Sequence, residues 1–130
     1  MKLVIATMLG GIDLKKSIVE YLANNGNVHA NKVLEDYAAR LENEPMTPDY
    51  PGTLEDWEEY QWFESINVLL KTPRNDSVLV SMVETFPLSD ILTDTHWGKL
   101  KVVEIPDDVD YYIDTDCGSE IVREKHRTWS

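Results

Sequence analysis

The sequence predicts an α+β protein built as one domain, and two observations carry that reading. Short β-rich runs occupy both ends of the chain, Lys2 to Met8 at the start and Leu100 onward at the finish. Between them, apolar residues recur at helical spacing in several separate stretches. A chain of 130 residues supports one hydrophobic core easily, and 42% apolar with 28% charged residues is an ordinary globular composition.

The elements follow in order. The first strand stops at Gly10-Gly11, and Asp13 stands where a helix N-cap belongs, ahead of Leu14, Ile18, Tyr21 and Leu22, with Gly26 as the stop. A second helix is predicted over Asn31 to Asn43, with Val33, Leu34, Tyr37, Ala38 and Leu41 as its stripe. Three prolines and a glycine make 45–52 a loop. Thr53-Leu54-Glu55-Asp56 then reads as a capping box, with Asp in place of Glu, opening the aromatic segment Trp57 to Phe63. Its tail, Ile66 to Leu70, fits helix or strand equally. Asp76 caps a further helix carrying Val78, Leu79, Met82, Val83 and Phe86 before Pro87. Leu100 to Ile105 reads as a strand, and Val109 to Ile113 with Ile121 to His126 as a hairpin around the turn-rich 114–119.

Charge narrows the function classes. Twenty-four acidic against twelve basic residues leave −12, a surface that repels nucleic-acid polymers and anionic membranes alike. A small anion in a local basic pocket remains compatible, as does an acidic surface that imitates nucleic acid. Cys117 is the single cysteine, which excludes an internal disulfide and suits a reducing cytoplasm. The opening MKLVIATMLGG lacks the charged leader and longer apolar region of a signal peptide, and no stretch approaches ~20 apolar residues.

Motif support for catalysis is thin. His29, His96 and His126 lie apart without metal-binding spacing, and no nucleophile elbow occurs. Gly10-Gly11 lacks the further residues of a phosphate-binding loop. The carboxylates Glu104, Asp107, Asp108, Asp110, Asp114 and Asp116 read as a solvated face, without the glycine and glutamate pattern of a calcium loop. No catalytic residue, metal ligand or cofactor is assigned. Against the acidic trend, Arg123, Lys125, His126 and Arg127 cluster before Thr128 and Trp129. Guanidinium, hydroxyl and indole groups suit phosphate and base, so Arg123 and His126 join the candidates for ligand binding. Strand alternation puts Arg123, Lys125 and Arg127 on one face, where a charged edge strand paired to nearby acids is the plainer reading.

The stretches RNDSVLVSMVETF, KLKVVEIPDDVDYYI and SEIVREKHRTW together resemble a family of short phage proteins. These carry an Arg-x-Asp helix start, a strand ending in VEIPDDV and a terminal EKHRTW; MLGGIDL is a weaker copy of that family's GGF-x-L turn. The match is strong over about the last 56 residues and loose over the first 22, while Ala23 to Pro73 has no counterpart and reads as an insertion. The chain thus resembles the Thoeris anti-defence sponge proteins of phages, which sequester cyclic ADP-ribose signals or cyclic oligonucleotides without cleaving them. The resemblance implies a small antiparallel sheet packed around two to four helices, and a homodimer or an assembly of dimers in the cytoplasm of an infected bacterium. It implies a small cyclic nucleotide as ligand, held by Arg74, Leu100, Asp110, Arg127 and Thr128. Leu100 stands where an aromatic stacking residue is expected and Asp110 where an amide is expected, departures that bear on the ligand's identity. Two other readings stay open: an acidic, nucleic-acid-mimicking inhibitor of a defence nuclease or CRISPR complex, and a nucleotide-degrading enzyme with His126 or Glu124 as general base.

Overall fold

A computed structural model describes residues 1–93 and 97–125. The fold class is α+β, and among the described residues the strands form two two-stranded antiparallel sheets. The chain packs as two compact units, one formed by Met1–Ile12 with Pro73–Ser130 and the other by Asp13–Thr72.

In the first unit, β1 (Lys2–Thr7) pairs antiparallel with β2 (Lys99–Glu104), Leu3 opposite Val103 and Ala6 opposite Leu100. Leu3, Val4, Ile5 and Ala6 are all buried, so the strand is covered on both faces and its unbroken apolar run follows. Helix α5 (Ser77–Thr85) packs on β1 and β2, burying Leu79, Val80 and Met82. Asp76 caps it as predicted, its carboxylate accepting from the Leu79 amide at 3.0 Å. A short α6 (Leu88–Ile91) follows Pro87, a turn of helix the apolar pattern did not announce.

The hairpin of β3 (Tyr111–Asp116) and β4 (Ser119–Glu124) is tighter than its sequence suggested. Asp114, Thr115 and Asp116 stay in the ladder, and the reversal falls on Cys117 and Gly118, at φ 52° and 83°. Two positive φ values match the right-handed twist of the flanking strands, and this overrides the cost of placing a non-glycine residue there. β4 also packs on β1.

The second unit is helical: α1 (Lys16–Asn24), α2 (Val28–Asn43), α3 (Leu54–Gln61) and α4 (Ile66–Lys71), with α2 touching the other three. The ambiguous stretch from Ile66 is thus helix, burying Val68 and Leu69. Two starts differ from expectation. Asp13 does not cap α1, which begins after Lys15; its carboxylate instead accepts the Ser65 hydroxyl at 2.7 Å. That hydroxyl accepts the Leu14 amide at 2.9 Å while Trp62 Nε1 donates to the Leu14 carbonyl at 2.8 Å, so the backbone of buried Leu14 is satisfied outside a helix. Helix α2 starts earlier than Asn31, because the Asn27 side chain accepts from the amides of His29 and Ala30 and nucleates an extra turn. The capping box of α3 forms in both directions between Thr53 and Asp56.

Candidate functional site

Arg74 lies in the turn leading into α5, where its carbonyl accepts from the Val4 amide at 2.9 Å. One guanidinium nitrogen returns a hydrogen bond to the Val4 carbonyl at 3.2 Å, fixing the side chain against β1. The fork then meets the Glu120 carboxylate with both nitrogens, Nη1 to Oε1 at 2.5 Å and Nη2 to Oε2 at 2.8 Å. Glu120 Oε1 also accepts the Ala6 amide at 2.9 Å. The two side chains retain 10% and 4% exposure.

Two parallel N–H···O bonds are the geometry in which a guanidinium holds phosphate as well as carboxylate. Here Glu120 occupies the anion's position. The pair ties β1, β4 and the approach to α5 together inside the first unit, and drawing the charges apart would leave one buried and uncompensated. Arg74 is thus seated as a structural clamp.

Of the other expected ligand-binding residues, the described ones, Leu100, Asp110 and Arg123, lie on β2, just before β3 and on β4. Leu100 faces Ala6 across the β1–β2 ladder and is 4% exposed, a core residue of the first unit. Asp110 precedes β3 with its side chain exposed, while its carbonyl accepts from the Lys125 amide at 2.8 Å and closes the open end of the hairpin. Arg123 lies on the exposed face of β4, its Nε donating to Asp114 Oδ2 at 2.8 Å. That bond, then the charge behind it, raises the Arg123 pKa above its ordinary value. Arg123 fits the charged, acid-paired edge anticipated from alternation. Glu124, one of two general bases considered for a degrading enzyme, is exposed opposite Tyr111. His126, Arg127 and Thr128 lie outside the described residues, as does His96.

Glu120 is the functional-group partner that sequence reasoning missed. It lies 46 residues from Arg74, and the single cue is its alternation with Val122 on one face of β4. Among the described residues, no group of three or more His, Cys, Asp or Glu side chains is arranged to hold a metal ion, and no helix is long and apolar enough to cross a membrane. A shallow depression elsewhere on the first unit is lined by Lys2, Asn75, Ser77 and Glu84, and the Lys2 ammonium meets Glu84 across it at 2.9 Å. The N-terminal ammonium of Met1 and Asp107, which also line it, pair with each other in the same way. Comparison with protein-family models, curated proteins and solved structures finds no match to this chain.

Proposed function

We propose that this chain is a non-catalytic binding protein that sequesters a small, phosphate-bearing cyclic nucleotide, acting as a homodimer or an assembly of dimers in an infected bacterium. The support is the likeness of its EIPDDV and EKHRTW stretches to the phage sponge proteins. Because Glu120 fills that fork, the phosphate-holding role passes to the other basic group of the likeness, Arg127, with Thr128 as an added donor. Arg74 becomes a positioning residue that anchors β4, the strand from which the basic segment continues in sequence.

Calorimetry against cyclic ADP-ribose isomers and cyclic di- and trinucleotides tests this, with bound ligand released by heat and weighed by mass spectrometry. The expected outcome is tight binding, intact ligand on release, and loss of binding in Arg127→Ala with folding preserved. Tighter binding by a folded Glu120→Gln variant would return Arg74 to the pocket as a direct phosphate ligand. No binding across the panel, or a cleaved product, would end the sponge reading.

A further inference from the structure

Helix α3 is an inverted amphipath. Its buried residue is Gln61, while Leu54 and Tyr60 are 57% and 71% exposed, and Phe63 just beyond is 41% exposed. Leu54, Trp57 and Tyr60 are spaced three apart and share a helix face. Tyr50 meets Trp57 edge-on with ring centroids 5.0 Å apart, and Trp57 meets Tyr60 at 6.2 Å, forming a ladder of three rings at the surface. The ladder is oriented by Trp57 Nε1, which donates to the Glu44 carbonyl at 3.2 Å.

The electrostatic surroundings say what suits this face. Residues 41–70 contain eight carboxylates and no Lys, Arg or His. Beside the rings, Glu44 and Asp49 are exposed, Glu44 at the residue whose carbonyl holds Trp57 and Asp49 next to Tyr50. Ring faces and carboxylates both attract cations, so the two features select the same partner. The region already holds one guanidinium in this way: Arg40, from α2, sits 3.8 Å above the Phe63 ring, donates to the Gln61 carbonyl and lies 3.9 Å from Glu64. Polyanions and anionic lipid are repelled, and the same face of a second copy would set carboxylates against carboxylates.

We infer that α3 and its ring ladder form a docking surface for a basic, arginine-rich protein segment, separate from nucleotide binding by the C-terminal residues. The probe is a fluorescently labelled deca-arginine peptide, titrated with the full chain and read by anisotropy. Tyr60→Ala and the Glu44→Gln/Asp49→Asn double variant should each weaken binding about tenfold, while Tyr60→Phe retains it. A Glu20→Gln/Glu35→Gln variant, which removes two exposed carboxylates from α1 and α2, should bind as the parent does. Equal loss in that control would reduce the binding to overall charge and overturn the inference, as would no binding at all. A change in sedimentation of the peptide-free chain on Tyr60→Ala would assign the face to a second copy instead. Nucleotide calorimetry is expected to be unchanged in every one of these variants.

Discussion

The two units of this chain solve the same problem, burial of polar groups, with different chemistry. The first is assembled by residues far apart in sequence: β1 pairs with β2, and Arg74 meets Glu120 across 46 residues. Its central polar tie is a fully charged pair, nearly out of solvent. The second is assembled by helices that follow one another, and its ties around Leu14 and Asn27 use neutral groups: the Ser65 hydroxyl accepting the Leu14 amide, the Trp62 indole donating to the Leu14 carbonyl, and the Asn27 amide donating to Thr72 at 3.0 Å. Its carboxylates face outward on α3 instead. An acidic chain thus uses one carboxylate as an internal clamp and many as an external field. The difference teaches that the cost of losing a polar tie depends on the charge left behind.

The comparison breaks most visibly at Glu120. Removing one partner of a buried ion pair strands the other, so Glu120→Ala should lower stability by about 3–5 kcal/mol in urea denaturation. The double variant Arg74→Met/Glu120→Leu should recover most of that loss, because it removes both charges and keeps the volume. A single variant within about 0.5 kcal/mol of the parent, the range of ordinary surface changes, would show that the clamp does not hold the first unit together.

In the second unit the corresponding change is Ser65→Ala. It withdraws the acceptor of the Leu14 amide and the donor to Asp13, both neutral-group losses apart from the partly exposed carboxylate, so the expected cost is about 1–3 kcal/mol. A loss as large as that of Glu120→Ala would erase the distinction between the two kinds of tie.

What the sequence made legible follows the same division. Caps and turns that depend on neighbours within a few residues were readable: Asp76 on α5, the Thr53–Asp56 box, the Gly26 stop, and the strands at both ends. Asp13 misled because its partner, Ser65, is 52 residues away, and a local rule has no view of that competition. The start of α2 was hidden by Val28, which is 68% exposed and breaks the apolar stripe although Asn27 caps the turn that contains it. The candidate site was least legible. Arg74 has the side chain of a phosphate ligand, and only the register of β4 reveals that Glu120 fills its fork. Leu100 likewise has the alternation of a core strand residue, and the structure seats it there.

The finest test of the contrast is a neutral group that becomes charged. Tyr37 is 7% exposed on α2, its hydroxyl donating to the Glu58 carbonyl at 3.3 Å and its ring meeting Trp62 edge-on at 5.2 Å. Burial, then the negative charge of Glu58, raises its pKa above the ordinary phenol value, against a smaller opposing pull from Arg40. Lys16, from α1, adds a cation 5.3 Å from the ring centre. A raised folded-state pKa means that Tyr37 contributes its stability in full below about pH 10, where the unfolded phenol is also neutral, and loses that contribution as pH rises through the folded value. Tyr37→Phe cannot ionise. It should cost about 0.5–1.5 kcal/mol at neutral pH through the missing hydrogen bond, and the gap to the parent should narrow as pH climbs past 10. Urea midpoints of both chains measured from pH 8 to 11 decide it. A gap that stays constant over that range would mean that the phenol ionises equally in the folded and unfolded chain, and that the second unit does not shield Tyr37 from charge as its burial requires.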